Sequence, residues 1–263
     1  MYIIKFITTH LIHNPKYLFG YIFFYFRNSF RVNVSFLSNT ELFSKLKNER
    51  KSFIRMGDGE IHLMLHGDIG YQKYHPNLKK WLLRIVNTYS VDAPFVLWLN
   101  SVDINKDNRE LKIIWRLQVW LPIKVMFYYF FPKNIQYGDA LVFYHQKYKN
   151  HLKEIIKDRR VILVANQTII THIYTPDFQE VFTLDCIVCP KNNAFSLKNE
   201  LLNSIYEKMD WCNPSDFLVL LSWGPVSKII AYELCLSNIQ SIDVWVGIEL
   251  FSINPNGDLT YRF

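Results

Sequence analysis

The stretch Ser52-Phe53-Ile54-Arg55-Met56-Gly57-Asp58-Gly59-Glu60 places two carboxylates on a glycine-containing turn directly after a short apolar run. Phe53 and Ile54 are typical of a buried strand, and the apolar residues after Glu60 predict a helix. Carboxylates two residues apart on such a turn can converge on one hard cation of the Mg²⁺ or Mn²⁺ type, and the helix N-terminus favours a diphosphate beside it. The pattern therefore predicts a metal-and-phosphate site. The alternative is that Asp58 only caps the helix and Glu60 is its first-turn companion.

The composition favours acidic partners. The chain has 263 residues, is half hydrophobic and carries a formal net charge of +7. Its aromatic content of 16% exceeds what an ordinary soluble core needs and points to a membrane-facing surface. The basic residues are scattered without an RNA-binding strand pattern, so we expect no nucleic-acid partner. The four cysteines do not resemble a secreted disulfide framework and indicate a reducing cytosol.

Residues 1–40 contain no Asp or Glu, and their basic residues are interleaved with a dense aromatic run from Tyr17 to Phe26. The run is too short to span a bilayer and is not followed by a signal-peptide cleavage site. It predicts a helix that begins near Pro15 and lies in the interface of an anionic leaflet. The alternative is a helix packed on the domain through its aromatic side chains. We assign 1–40 to this segment and 41–263 to a single domain.

Apolar runs alternate with amphipathic ones over the rest of the chain, which is the pattern of an α/β domain with a mainly parallel sheet. Several runs are continuously apolar, as expected when helices cover both sheet faces. The predicted strands are 52–56, 94–99, 140–144, 160–165, 180–188, 216–222 and 241–246. The predicted helices are 77–89, 148–158, 197–209 and 226–237.

Residues 110–132 form a second apolar and aromatic stretch, interrupted by Arg116, Pro122 and Lys124. The interruptions argue against a spanning helix. Three interpretations stay open: a kinked helix dipping into the membrane interface, an acceptor-binding flap, or core.

Four motifs together resemble a known family. In chain order they are the stretch around Asp58 with Tyr71-Gln72 after it, Cys189-Pro190-Lys191-Asn192-Asn193-Ala194-Phe195, Ser222-Trp223-Gly224-Pro225-Val226-Ser227, and Ile242-Asp243-Val244-Trp245-Val246-Gly247-Ile248-Glu249. In this order and spacing they resemble the bacterial glycosyltransferases of the GT-D fold, formerly a domain of unknown function with an Asp-x-Glu signature.

The resemblance implies a fold, a reaction and a set of ligands. The fold is a Rossmann-like, mainly parallel sheet with helices on both faces. The reaction moves a sugar from a nucleotide sugar, a UDP-sugar in the best-known members, onto a surface-glycan or lipid-linked acceptor. A divalent cation, Mn²⁺ or Mg²⁺, would be held at Asp58 and Glu60, and Gly57 and Gln72 would lie on the donor side.

The other donor-site candidates follow from residue chemistry. Arg55 could add positive charge to the diphosphate, or form a salt bridge with Asp58. Gly224, Pro225 and Ser227 lie where an apolar strand turns into a helix, and there a glycine lets a ligand approach free N–H groups; the alternative is only a well-capped helix. Asn193 could contact a base or ribose from a loop at the carboxyl end of a strand.

Asp243 and Glu249 come near the end of the final strand and are the catalytic candidates, either as the base that deprotonates the acceptor hydroxyl or as residues that orient substrate. The chain departs from the family pattern between them, where relatives often carry a His-containing turn. It departs again at Val164-Ala165-Asn166-Gln167, where relatives tend to have Glu-Gly. Both departures concern the acceptor and the catalytic base, and the metal motif is unaffected.

Two functions are compatible with this sequence. The first is a metal-dependent glycosyltransferase on the inner face of the cell membrane, in which the basic aromatic N-terminus approaches a lipid-linked acceptor. The alternative is a non-catalytic, membrane-associated scaffold of glycan assembly, motivated by the two altered segments. Cation-dependent nucleotide binding would distinguish them.

Overall fold

A computed structural model of the chain describes residues 15–140, 142, 149–173, 184–210, 212–244, 251–253 and 259–261. Eight strands form one sheet, in the order β1-β4-β3-β2-β8-β7-β5-β6, and every neighbouring pair is parallel. They are β1 (Ser35–Phe36), β2 (Ser52–Arg55), β3 (Phe95–Leu99), β4 (Gln136–Asp139), β5 (Arg160–Asn166), β6 (Leu184–Cys189), β7 (Phe217–Ser222) and β8 (Ser241–Asp243). A separate antiparallel pair joins β9 (Phe251–Ile253) to β10 (Leu259–Tyr261).

Eleven helices belong to the described part of the chain. They are α1 (Pro15–Tyr25), α2 (Asn39–Lys47), α3 (Asp58–Met64), α4 (Pro76–Thr88), α5 (Ser101–Ile104), α6 (Asn108–Ile113), α7 (Leu117–Phe130), α8 (Lys149–Ile156), α9 (Gln167–Ile173), α10 (Lys198–Met209) and α11 (Gly224–Leu236). Short 3₁₀ turns lie at Ala194–Leu197 and Pro214–Asp216. The predicted Rossmann-like parallel sheet with accompanying helices is confirmed, and the described residues include an N-terminal helix, Pro15–Tyr25.

Alternate residues of the central strands pack into two separate apolar cores. In β2, Phe53 belongs to one core and Ile54 to the other. In β7 the same alternation holds, with Leu220 in one core and Leu221 in the other. Burial on both faces is the physical reason why these strands read as continuous apolar runs.

One predicted strand was misplaced. The prediction of 140–144 is wrong at its start, because the strand in this region is β4, which ends at Asp139. Ala140 and Val142 are buried although they follow the strand. Their apolar character reflects packing in the core rather than pairing in the sheet, so a hydrophobic run overestimates the strand at this point. Residues 143–148, and 180–183 and 245–246 of two other predicted strands, lie outside the described residues.

The 110–132 stretch resolves into α6, a turn at residues 114–116 and α7, with Pro122 inside α7. Most apolar side chains of α7 are core, and Lys124 within it is fully buried. The Lys124 ammonium donates to the carbonyl of Phe30 at 2.6 Å, to the carbonyl of Lys106 at 2.9 Å and to the amide oxygen of Asn108 at 3.0 Å. None of the helices within the described ranges combines the length and hydropathy needed to cross a membrane.

The sheet order brings distant parts of the chain to one edge. β2 lies between β3 and β8, and β8 lies against β7, with Phe53 opposite Ile242 and Leu221 opposite Asp243. Parallel strands end at the same edge of a sheet, and ligands of open α/β sheets bind outside that edge. The loops after β2, β7 and β8 therefore meet there.

Candidate active site

The turn after β2 gives its two carboxylates different surroundings. Gly57 is the N-cap of α3, and its N–H donates to Glu60 Oε2 at 2.8 Å. Glu60 is buried, whereas Asp58 is exposed and accepts only from the N–H of Gly59, at 3.0 Å, among the bonds of the described residues. A Cβ at Gly57 would lie 3.1 Å from Glu60 Oε2 and 3.7 Å from the Arg55 guanidinium, so a glycine keeps this corner compact. Asp58 and Glu60 therefore differ in burial and in hydrogen bonding, although the sequence predicts one shared role for them.

The side chain of a buried lysine has a role in this site that was not predicted from the sequence. Lys228, in the first turns of α11, is fully buried, and its ammonium lies 2.9 Å from Asp243 Oδ2 and 3.4 Å from Glu60 Oε1. It also donates to the carbonyl of Gly224 at 3.1 Å. Burial alone lowers the pKa of Lys228, but the Asp243 and Glu60 carboxylates outweigh it and the pKa is raised. A lysine between Gly-Pro-Val-Ser and the apolar run Ile229-Ile230-Ala231 was the available signal.

Asp243 ends β8 as an almost fully buried carboxylate. Its Oδ2 atom also accepts from the backbone N–H of Arg55 at 3.4 Å, while Oδ1 accepts no hydrogen bond from the described residues. Burial raises the pKa of Asp243, and the ammonium of Lys228 partly offsets this. This position suits a residue that orients its neighbours better than one that reaches an acceptor hydroxyl. Glu249, the second catalytic candidate, lies outside the described residues.

The predicted turn at Gly224 is present. Gly224 has φ +30°, and a Cβ there would lie 3.1 Å from the Tyr71 ring. Both the positive φ and this close approach favour glycine at the position. Pro225 stands in the first turn of α11. The Ser227 hydroxyl is buried and donates to the Gly224 carbonyl at 2.7 Å. Ser227 therefore stabilises the helix start, and Gly224 is the member of the motif that faces the loop carrying Tyr71.

Gln72 and Asn193 join two loops at the border of the site. Gln72 is buried; its Oε1 accepts from the N–H of Phe195 at 3.3 Å and its amide donates to the Lys73 carbonyl at 2.9 Å. Asn193 has φ +52° and accepts from the N–H of Lys73 at 2.9 Å, and its own N–H donates to the Tyr71 carbonyl at 2.8 Å. Both side chains are engaged in loop contacts, so they shape the border of the site.

Tyr71 lies across the glycines of the site. Its ring is next to Gly224, and its hydroxyl would be 3.7 Å from a Cβ at Gly59. Burial, followed by the charge of Glu60, raises the pKa of Tyr71. The ring is still partly exposed, so it lies between the buried Glu60 side of the site and solvent.

A cavity of about 350 Å³ lies beside the 3₁₀ turn at Ala194–Leu197. Trp81 and Phe195 supply aromatic surface, and Lys80, Arg84 and Lys198 supply positive charge. Lys198 is also paired with Glu233 at 2.7 Å. Aromatic surface with cations suits an anionic ligand that carries a flat ring.

The residues fit a divalent cation in part. Asp58 offers an exposed carboxylate oxygen, which is what Mg²⁺ and Mn²⁺ prefer. Both oxygens of Glu60 are already engaged, by the N–H of Gly57 and by Lys228. Across the described ranges, no group of three or more His, Cys, Asp or Glu side chains could hold a metal ion. A cation here would be held by Asp58 and would take its remaining ligands from the bound diphosphate and water.

Two segments of the chain depart from the family pattern, and the residues of the first segment have local structural roles. Asn166 ends β5, and its Oδ1 accepts from the N–H of Ile169 at 3.1 Å. The Gln167 side chain donates to the Thr171 hydroxyl at 3.2 Å. Both residues therefore support the start of α9. Trp245, Val246 and Gly247 of the second departure lie outside the described residues.

Comparison with known proteins points to one family. The model of the family described as "Glycosyltransferase GT-D fold" matches residues 53–249. The chain is 26% identical over 206 residues to glycosyltransferase GlyD of Streptococcus pneumoniae and 22% identical over 223 residues to the probable glycosyl transferase Gly of Streptococcus gordonii. These matches cover 73% and 80% of this chain but only 24% and 32% of the relatives, so the chain spans a quarter to a third of their length.

Solved structures show the same fold. One, described as the highly conserved domain of unknown function 1792 with a distinct glycosyltransferase fold, matches at a TM-score of 0.69 and 24% identity, over 88% of this chain and 83% of that one. Another, a glycosyltransferase of the same domain from Streptococcus sanguinis, matches at 0.67 and 23% identity, over 81% of each chain. The resemblance of the four motifs is confirmed, and the chain belongs to the family of glycosyltransferases with the GT-D fold.

Proposed function

We propose that the chain transfers a sugar from a nucleotide sugar, a UDP-sugar, to a surface-glycan or lipid-linked acceptor at the inner face of the cell membrane. The observation that carries the proposal is the exposed Asp58, which begins α3 directly after central strand β2 and lies two residues before Glu60 of the buried Glu60–Lys228–Asp243 cluster. Membership of the family supports the reaction class.

Each residue near the turn has a role in this proposal. Asp58 binds the divalent cation, which, when bound, offsets the negative charge of the departing diphosphate. Arg55, whose guanidinium lies beside Gly57, adds positive charge to the same anion. The Glu60 carboxylate holds the Gly57 N–H and the Lys228 ammonium in place. Gly224, which has no side chain, leaves room for the ligand next to the start of α11.

Few of the described residues can be assigned to the acceptor side of the site. Asp243 orients the site through Lys228 and through the N–H of Arg55. Glu249 is then the candidate for the base that takes the proton of the acceptor hydroxyl. Phe195 and the cavity beside it offer a surface on which the base of the nucleotide could stack.

Calorimetric titration with UDP, first with Mn²⁺ and then with the cation chelated, tests the proposal. We expect binding only with the cation present, and its loss in Asp58→Asn. If UDP, GDP, CMP and dTDP all fail to bind a folded protein with Mn²⁺ present, the glycosyltransferase proposal is wrong. Retained binding to lipid vesicles would then favour the scaffold function.

A further inference from the structure

Two segments that are far apart in sequence combine into one surface. Helix α1 packs on α7 so closely that a Cβ at Gly20 would lie 2.4 Å from the Tyr129 ring. Behind α1, the Phe24 ring stacks on Phe30 at a centroid distance of 3.8 Å. The start of α6 is tied to the end of α1, because the Asn108 amide donates to the Phe24 carbonyl at 2.7 Å. The relative positions of α1 and α6 are therefore fixed by packing and hydrogen bonds.

Large apolar side chains project outward from this pair of segments. We call the following residues the aromatic face: Phe19, Phe23, Phe26, Ile113 and Trp115, which are 66%, 57%, 76%, 71% and 93% exposed. The three phenylalanines follow a helical spacing of four and three residues, so they share one side of α1 and its extension. Exposed apolar groups of this size in one region mark an interaction surface.

The turn between α6 and α7 holds Trp115 outward. Trp115 has φ +56°, a conformation that costs energy for a residue with a bulky side chain, and its N–H donates to the Lys112 carbonyl at 3.1 Å. Ile113 and Ile114 precede it and are exposed as well. A strained tryptophan that is almost fully exposed at a turn contributes nothing evident to the core, and this exposure suits a side chain that inserts into a membrane interface.

Positive charge borders the same surface. The Arg27 guanidinium lies 5.1 Å from the centre of the Phe23 ring, and the Lys112 ammonium lies 5.7 Å from that of Tyr25. Lys112 also donates to the Asn28 side chain at 2.7 Å, which places it between α1 and α6. Residues 15–38 contain no acid, and Glu110 of α6 is paired with Arg31 at 3.0 Å. At this border the cations Arg27, Arg31 and Lys112 outnumber the acid Glu110.

The positive charge beside the aromatic face distinguishes between two possible binding partners, a second copy of the chain and a lipid bilayer. A second copy of the chain, packed face to face, would bring Arg27 and Lys112 near their own like-charged counterparts, which is unfavourable. An anionic bilayer accepts the apolar rings in its interface and the cations at its phosphates. Aromatic residues with adjacent Lys and Arg are the usual composition at that depth.

We propose that the aromatic face binds an anionic lipid bilayer, with Trp115 and the three phenylalanines entering the headgroup region and with Arg27 and Lys112 contacting lipid phosphates. Binding needs neither donor nor cation, because none of these residues belongs to the candidate active site. It gives the enzyme a defined orientation on the membrane, which the sequence alone could not provide.

Sedimentation of the full chain with vesicles tests the proposal. We compare vesicles of phosphatidylcholine alone with vesicles in which about a third of the lipid is phosphatidylglycerol. We expect binding to the anionic vesicles, a loss of about tenfold in partitioning in Trp115→Ser, and a larger loss in the triple variant Phe19→Ser, Phe23→Ser and Phe26→Ser. Arg27→Gln with Lys112→Gln should weaken binding to anionic vesicles specifically.

Matched controls distinguish the effect of the aromatic face from that of a general loss of exposed apolar side chains. Val91→Ser and Leu236→Ser remove apolar side chains that are 69% and 55% exposed outside the aromatic face, and both should bind like the unaltered protein. Nucleotide binding by Trp115→Ser should be unchanged, which shows that the variant is folded.

Three results would overturn the proposal. The first is equal binding by all the variants. The second is equal binding to neutral and anionic vesicles. The third is a dimer, measured by light scattering, that Trp115→Ser dissociates while vesicles bind neither protein.

Discussion

The two carboxylates of the Asp-x-Glu motif should respond differently to neutralisation. Asp58→Asn removes an exposed charge, so we expect the free energy of unfolding to stay within about 0.5 kcal/mol while cation-dependent UDP binding is lost. Glu60→Gln leaves the Lys228 ammonium with Asp243 as its remaining ion-pair partner among the described residues, and should cost about 1–3 kcal/mol of stability as well. Urea unfolding combined with calorimetry measures both. Equal destabilisation by the two variants would contradict this division of roles.

Lys228 should matter more to stability than either carboxylate of the motif. Lys228→Met leaves Glu60 and Asp243 buried without their shared cation, and we expect a loss of about 3–5 kcal/mol. Adding Asp243→Asn removes one of the orphaned charges and should recover about 1 kcal/mol or more. A thermodynamic cycle of the two single variants and the double variant in urea measures the coupling. Strict additivity would show that Lys228 and Asp243 do not interact.

These residues also show how far the sequence could define the site. The position of Asp58 on an exposed turn after a buried strand was predicted, because an apolar run that ends in glycines and carboxylates is typical of a strand leaving the core. The role of Lys228 was missed because a lysine in an apolar helix has no local pattern that reveals its partners. Glu60 and Asp243 approach it only through the order of β2, β8 and β7 in the sheet.

At the level of elements, the contact between the loops of Tyr71 and Asn193 controls the border of the site. Asn193→Ala loses the hydrogen bond from the Lys73 N–H. It also places at φ +52° an alanine, whose side chain cannot form the local hydrogen bonds that make this conformation tolerable for asparagine. Asn193→Gly loses the same bond but tolerates that φ. We expect the alanine variant to be less stable than the glycine variant by about 1 kcal/mol, and both to bind UDP more weakly than the unaltered protein. Thermal unfolding and calorimetry give the two quantities, and an alanine variant as stable as the glycine one would exclude backbone strain as the cause.

Helix α7 contains a second buried lysine with the opposite pKa behaviour. Burial lowers the pKa of Lys124 from 10.5 to about 8, and nearby carboxylates only partly compensate. Between these pH values the unfolded chain holds a proton that the folded chain has released, so the free energy of unfolding rises as pH increases from about 8 to 10.5. Well below pH 8 both states hold the proton, and this group makes no contribution to the pH dependence of stability. The rise amounts to roughly 3 kcal/mol at most.

The difference in unfolding free energy between the unaltered protein and Lys124→Met isolates this contribution, because buried cysteines and tyrosines titrate in both proteins. We expect the difference to grow with pH across that window. A flat difference would show that Lys124 keeps its proton when folded.

Helices and strands were easier to predict than their ends. The helix over 76–88 follows from its regular apolar face and from Pro76 in its first turn. The strand before Ala140 was misplaced because Gln136-Tyr137-Gly138-Asp139 contains two polar residues and a glycine, whereas its burial comes from tertiary packing. For the 110–132 stretch, three interpretations were open, and only its packing against α1 shows which side chains are core and which are exposed.

For the whole molecule, catalysis and membrane binding should be separable. Asp58 and Trp115 belong to different elements, and the hydrogen bonds of the described residues join neither of them to the other's surface. We expect Asp58→Asn to lose nucleotide binding and keep vesicle binding, and Trp115→Ser to do the reverse. Calorimetry and vesicle sedimentation on both variants provide the test. If each change abolished both activities in folded protein, the two surfaces would have to be one.

The position of β8 has a consequence for biosynthesis. This three-residue strand sits between β2 and β7, and the contact between Arg55 and Asp243 joins residues 188 positions apart in the chain. A growing polypeptide therefore exposes its Asp-x-Glu turn on the ribosome long before the strand that completes the sheet has been synthesised. Closing such a distant pairing is slow, and an unfilled gap in a parallel sheet leaves strand edges open to other chains. Premature termination before Ser241 should thus yield an aggregation-prone product rather than a weakened enzyme.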